Sequence, residues 1–465
     1  MSQGLPQEVN FNLALPKMLP PAKKTHLRIQ PFNAGPYNNA FTAIKCKLPS
    51  KSRTFMIPSS LYAKYNILHT TFGTITDNTT MSYLIGDGKS YFRHINITQN
   101  NGGEIDKVQE VNVFSNIMKK LTLNEAQLRA KSLIMGGAST DAHMGSNVGL
   151  IINNTTITGT GIDNVRASFC EPLYSALTNA PTLLPIWGGK EIEFEFILED
   201  VNNIIINRNN AAGVNGFSVE NFELVVECLE FEESSFNWLM EQNGNPSLMR
   251  FKSETYMYSS SAISGVGLRD INFPFSCSSL KAFVWNAYTT NTHEKKFGGV
   301  NPNLNTFQLV LEGDTYPNLP IRYNESPAEV AAYNAKAMGS LYSADHLGSL
   351  RPLNFRKAIT NNYAGNSLWL AQHAPTSDAS GNLLTFNTSS TIEVQSRSNM
   401  QYNILDLEKI SHSKDNLYAG VKATEGLIRY DIRENLGTTV NVNFFAVVDC
   451  IVQFDNTTGL YNVVR

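Results

Sequence analysis

Three sets of side chains in this sequence have the types that chemistry uses: eight histidines, five cysteines and a row of glutamates. The histidines (His26, His69, His94, His143, His293, His346, His373, His412) include no H-x-x-x-H or H-E-x-x-H pair, the spacing that sets two ligands on one helix face around zinc. Cys46, Cys170, Cys228, Cys277 and Cys450 stand singly and read as free, buried thiols in a reducing compartment. Asp345-His346 places an acid beside an imidazole, but no third partner follows from the sequence. Glu191, Glu193 and Glu195 form an alternating row. Glycosidases use two carboxylates across a groove, yet the same alternation is what the solvent face of one strand looks like. No G-x-x-x-x-G-K-[ST] phosphate cradle and no G-x-S-x-G elbow occurs, and Gly136-Gly137 and Gly145 sit in a Ser/Asp/Asn-rich stretch that reads as loop. The sequence therefore offers no catalytic, cofactor-binding or metal-binding residue and implies no cofactor; a non-enzyme is expected.

The elements that would carry such residues are mostly strands. In Lys190–Asp200, Ile192, Phe194, Phe196 and Leu198 point one way and the glutamates the other. Further strands are expected at Leu27–Phe32, Phe41–Leu48, Gly149–Ile157, Phe222–Phe231, Leu280–Ala287, Thr306–Glu312, Ser390–Gln395, Leu427–Ile432 and Thr438–Phe454, separated by Gly/Asn/Pro/Ser loops such as Asn207–Gly216 and Thr376–Asn382. Helical spacing is confined to Val111–Leu121, a second helix from Thr122 towards Gly136, Phe236–Gln242, and Pro327–Met338 with Ser326 as its N-cap. Helices this sparse exclude an alternating βαβ fold and favour sandwiches or barrels.

The chain has 465 residues, 37 Lys+Arg against 40 Asp+Glu, and only 17% charged residues, where about 25% is ordinary. That balance argues against sequence-specific nucleic-acid binding, which needs clustered cations. A surface built from amides and hydroxyls suits extensive packing against neighbours, because uncharged groups are easier to desolvate. Met1–Gln30 carries four prolines and no apolar run, so no secretory leader is expected, and the sequons at Asn78, Asn96, Asn154, Asn387 and Asn456 are expected to be unused.

One internal similarity organises the rest. Asn221–Leu229 (NFELVVECL) aligns without gaps on Asn443–Ile451 (NFFAVVDCI), sharing Asn, Phe, Val, Val and Cys at an offset of 222 residues. We read this as a duplication: two β-domains of one design, each closing with the same strand. The expected division is an extended N-terminal arm over 1–24, a first domain over 25–233, a linker with a short helix over 234–246, and a second domain over 247–465.

Several stretches also resemble double jelly-roll major capsid proteins of the polinton, polinton-like virus and virophage branch. They are Pro172-Leu173, Leu184-Pro185-Ile186-Trp187-Gly188-Gly189 leading into the Glu191–Asp200 strand, and Ile271-Asn272-Phe273-Pro274 followed by Ser278-Ser279-Leu280-Lys281-Ala282-Phe283-Val284. Gln308–Pro317 with the helix after it, and His94–Leu128, resemble further segments of that family. The resemblance implies an all-β chain of two tandem eight-stranded jelly rolls with a few short helices in loops. It implies a virion component that forms homotrimers, pseudo-hexagonal capsomers tiling an icosahedral shell, with penton and minor capsid proteins as partners. The arm, with Lys23 and Lys24, would lie along the inner base near a membrane or genome. Two other classes remain open from the residues alone: a β-sandwich carbohydrate-binding protein or glycosidase, and a tandem-sandwich scaffold.

Overall fold

The structure, a computed structural model, describes residues 20–38, 40–71, 82–85, 87–99, 103–123, 134, 148–152, 163–207, 214–263, 265–288, 295–297, 304–323, 327–337, 402–408, 419–432 and 440–465. Outside them lie the first nineteen residues of the arm, the helix expected towards Gly136, residues 153–157 of one expected strand, the strand expected at Ser390–Gln395, Ser326, Asp345-His346 and the Thr376–Asn382 loop.

Strand-forming alternation turns into burial as expected. In Ile192–Leu198 every second side chain is buried, and the residues between are half-exposed. Eight strands of the first half are β1 (Ala22–Ile29), β2 (Ala43–Leu48), β3 (Tyr62–Thr71), β4 (Phe92–Gln99), β5 (Glu104–Gln109), β6 (Asp163–Pro172), β7 (Ile192–Leu198) and β8 (Val214–Phe231). The second half continues with β9 (Leu248–Ile263), β10 (Gly267–Asn272), β11 (Cys277–Tyr288), β12 (Leu304–Leu311), β13 (Asp314–Arg322), β14 (Tyr402–Asp406), β15 (Gly426–Ile432) and β16 (Val440–Asp455).

Each half folds these strands into two antiparallel sheets of the same order. One sheet runs β1-β8-β3-β6 in the first half and β9-β16-β11-β14 in the second; the facing sheet runs β2-β7-β4-β5 and β10-β15-β12-β13. Adding eight to a strand number gives its counterpart. The register repeats as well: Val225 lies opposite Tyr62 and Arg28, and Val447, its partner in the sequence repeat, lies opposite Ala282 and Tyr256. Short extra strands extend this frame, among them Thr54–Met56 beside β8 and Leu460–Val464 at the corresponding place beside β16.

β1 begins at Ala22 and pairs Ala22, Lys23 and Lys24 with Phe231, Glu230 and Leu229. The expected arm therefore ends earlier than residue 24, because those three residues complete a ladder. The helices match expectation closely: α1 (Val111–Thr122), α2 (Glu233–Gln242) between the halves, and α3 (Pro327–Ala337). Among the described residues, no helix is long and apolar enough to cross a membrane.

Candidate assembly site: the seam between the halves

The chemistry-bearing residues singled out in the sequence are dispersed into structural roles. The glutamate row faces lysines on the neighbouring strand: Lys45 Nζ lies 3.0 Å from Glu195 and 3.7 Å from Glu193, and Lys47 Nζ lies 4.0 Å from Glu191. Asn96 donates to Glu195 at 2.8 Å. This is a cross-strand ladder of opposite charges over β4, β7 and β2, not a pair poised across a groove. Cys46, Cys228, Cys277 and Cys450 are buried and unlinked, and Cys170 is half-buried. Burial pushes the Cys46 and Cys450 thiols up to about 12. Among the described residues, no group of three potential ligands could hold a metal ion.

What the fold does assemble is a seam joining the halves. β16 is buried on both faces over most of its length, and the two faces serve different cores. Val442, Phe444, Ala446 and Val448 fill the sandwich of the second half, whereas Phe445 and Val447 belong to an apolar cluster continuous with the core of the first. There Phe114 of α1 packs in tilted ring contacts against Tyr256 at 4.4 Å and Phe445 at 5.2 Å between ring centroids. On the equivalent outer face of β8 the repeat carries Glu223 and Glu227 instead, paired at the surface with Lys64 and Lys24 at 3.2 and 2.6 Å.

The polar residues of the repeat diverge in the same way. Asn221 is exposed at a positive-φ bulge, but Asn443 is buried and bonded to Tyr258 and Asn286. Glu227 is a surface ion-pair partner, while Asp449 is buried and accepts from Ser279 at 2.7 Å. Phe222/Phe444 and Val226/Val448 of the repeat thus encode a common sandwich, and its polar residues encode what each half meets outside it.

Three polar clasps lock the seam. The turn Lys295–Phe297 reaches from the second half into the first, where Phe297 is fully buried. Lys296 bonds Glu110 at 2.6 Å and also Glu199, and Glu110 takes a second bond from Arg93 at 2.6 Å. Asn112 and Asn203 donate to Glu199, each at 2.8 Å. Burial pushes the Glu199 carboxyl up, but the Lys296 charge and these hydrogen bonds outweigh it and hold the group below its ordinary value. The second clasp is Asp106 of β5, fully buried, which accepts from Ala176 N, Thr255 Oγ1 and the Arg465 guanidinium at 2.7, 2.7 and 2.9 Å. In the third, the Gln99 amide both donates to Gly459 O and accepts from Tyr461 N at 2.7 Å, and Trp187 Nε1 donates to Asn456 at 2.8 Å.

Beside that last clasp the backbones nearly touch. A Cβ on Gly188 would stand 2.5 Å from Gly459 Cα, and both glycines have positive φ. The Leu184–Gly189 motif, noted above only for its resemblance, is therefore seam-forming: Leu184 and Ile186 are buried and Trp187 packs on Phe454 at 5.6 Å. In the second-half motif, Ser279 holds Asp449, and Lys281 bridges Glu254 and Glu408.

Within the first half, Asp87, Lys89, Lys119 and Glu171 form a buried charge cluster. Lys119 pairs with Asp87 and lies 3.5 Å from Glu171, and Lys89 sits 3.9 Å over the Tyr174 ring. Burial pushes Glu171 up, the ammonium groups pull it back, and Asp87 adds to the rise, leaving it at about 7 from an ordinary 4.5. A carboxyl raised on folding contributes stability that is complete below pH 4.5 and is lost as pH rises through about 7. Glu171→Gln should therefore flatten the fall in urea midpoint across that window; an unchanged slope would contradict the assignment.

No protein-family model matches the sequence, and no curated protein matches it. Solved structures do. PBCV-1 VP54, as fitted into a cryo-EM reconstruction of the virophage Sputnik, aligns with a TM-score of 0.55 at 9% identity over 96% of this chain and 97% of that one. The fold is a double jelly roll. The mavirus major capsid protein aligns at 0.53 with 12% identity over 94% of this chain and 90% of its own, and the Sputnik virophage structure solved by cryo-EM at 0.53 with 11% over 95% and 88%. At such identities what is shared is the architecture.

Proposed function

We propose that this chain is a major capsid protein, a shell subunit without an active site, whose work is association with copies of itself in a virion. The observation that carries the reading is the seam. A rigid, apolar and ion-paired junction holds two wedges of one design at a fixed angle, in the architecture shared with the mavirus major capsid protein.

The seam is head-to-tail: the β5/α1 side of the first half meets the β9/β16 side of the second. Repeating that relation between chains sets the β13/α3 side of one copy against the β1/β8 side of the next. Heterologous contacts of this kind close into rings when the rotation allows. Three chains then give six wedges and a pseudo-hexagonal tile. Leu319 on β13 is 80% exposed and Glu223 and Glu227 face outward on β8, which supplies both sides of the contact. Such tiles would pack laterally into an icosahedral shell, with penton and minor capsid proteins completing it and the arm facing a membrane or genome.

Light scattering on the purified protein tests the reading. The expected result is a particle of three times 51.5 kDa, and Leu319→Asp should shift it to one chain without altering the circular dichroism spectrum. A monomer at all concentrations would overturn the proposal. The glutamate ladder, neutralised by its lysines, gives no support to a glycosidase.

A further inference from the structure

Sheet edges are templates for unwanted pairing, and folded proteins blunt them with charge, proline or a covering segment. This chain does so at edge after edge. The β2 edge is covered by residues 32 and 33: Phe32 N donates to Lys45 O at 2.9 Å, and the Asn33 side chain accepts from Lys45 N at 2.8 Å and donates to Ala43 O at 2.7 Å. The β5 edge is closed by the seam, where Asp106 is bound by Thr255 and Arg465. The β13 edge carries Pro317 and Pro320, which have no N–H. The β14 edge is bracketed by Asn334, which donates to Tyr402 O and accepts from Ile404 N, both at 2.8 Å. The β1 edge bears Lys23, Lys24, His26 and Arg28.

β10, the counterpart of β2, has no such covering segment among the described residues, although it carries Arg269 and Asp270, the latter paired with Arg429. It pairs with β15 over all six residues, and among the described residues nothing bonds its other side. Phe273 N donates to Gly426 O at 2.8 Å, so the antiparallel alternation turns the backbone groups of Leu268, Asp270 and Asn272 outward. Val266 and Leu268 flank this edge at 48% and 60% exposure. The reason for the difference lies in the connections. Between β1 and β2 the chain has thirteen residues, some of which double back over the edge, whereas only residues 264–266 separate β9 from β10.

The sequence holds a segment suited to that edge. Between Pro6 and Pro16, Val9, Phe11, Leu13 and Leu15 alternate with Asn10, Asn12 and Ala14, and Val9–Leu15 is an uncharged stretch of strand-forming pattern. Six residues separate Leu15 from Ala22 of β1, a reach of about 20 Å. Ala22 sits in the first half beside Phe231, and the sheet containing β10 lies behind the second-half sheet that meets the seam.

We propose that the β10 edge accepts the Val9–Leu15 segment of a neighbouring copy of this chain as an added strand, tying one subunit to the next. This rests on the shell reading, but it is measured separately. The acceptor is the full chain carrying Phe11→Asp and Leu13→Asp, which disables its own segment, and the probe is a synthetic peptide of residues 6–17. Peptide binding should slow amide exchange at residues 268–272 at least about tenfold, equivalent to 1.4 kcal/mol, and the same peptide with both aspartates should not. Unchanged exchange there with saturating peptide would overturn the proposal. So would equal protection of residues 268–272 in dilute wild-type monomer, because the segment would then come from the same chain. If peptide protects the edge but the wild-type protein forms no shells, the shell reading fails and the pairing stands. If shells form with the edge exchanging freely, the reverse holds.

Discussion

Val226→Asp and Val448→Asp should each abolish folding. The two valines occupy the same position of the repeat, and both are fully buried: Val226 in the first core and Val448 in the second. Val226 lies opposite Leu27, and Val448 lies between Leu280 and Thr255, whose hydroxyl is already given to Asp106, so no cation faces either site. An unpaired carboxylate in such a site must either ionise without solvation or fold only when protonated, a penalty of more than about 4 kcal/mol on a typical total of roughly 5–15 kcal/mol. Soluble yield and the thermal melt are the measurements. A native-like melt for either variant would mean that the closing strand does not face a core at that position. Val→Ala at the same sites should retain the fold, which separates lost packing from a buried charge.

How far the sequence discloses the molecule depends on the range of the interaction. The Ile192–Leu198 strand was legible because its partners impose a local period of two, and α1 because Phe114, Ile117 and Leu121 recur at helical spacing and are all buried. The repeat was legible through Phe222/Phe444 and Val226/Val448, which fill the core of each sandwich. Its Asn and acidic positions were misleading, because they answer to surroundings that differ between the halves. The seam was not legible. Asp106, Thr255 and Arg465 converge from 149 and 359 residues apart, and each looks locally like an ordinary surface residue. Gly188 reads as a turn glycine until Gly459 is placed against it. Lys23 and Lys24 read as the end of an extended arm because nothing in the arm itself announces the ladder with Glu230 and Leu229.

The largest effect at the seam is expected from Lys296→Met. The methionine retains most of the apolar stem, so what is lost is the charge, whose nitrogen lies 5.8 Å from the Phe297 ring centroid. Glu110 and Glu199 are then left buried with Arg93, the two asparagine amides and the Asp200 N–H as their partners. Breaking a buried ion pair from one side costs about 3–5 kcal/mol, because the remaining charge keeps its desolvation penalty without its partner. The loss should be greatest where Glu199 is ionised and should diminish as pH falls, since Glu199 is held below its ordinary value by Lys296 and reverts upward without it. Urea unfolding is the readout: a lower midpoint for Lys296→Met, most of it recovered when Glu199→Gln and Glu110→Gln are added. A neutral single variant would show that the apolar cluster around Phe114, Tyr256 and Phe445 alone sets the angle between the wedges. A variant not rescued by the two glutamines would show that Lys296 acts through packing. The expected pattern, loss and then recovery, would establish the clasp as the element that turns two similar sandwiches into one rigid unit able to repeat its own geometry from chain to chain.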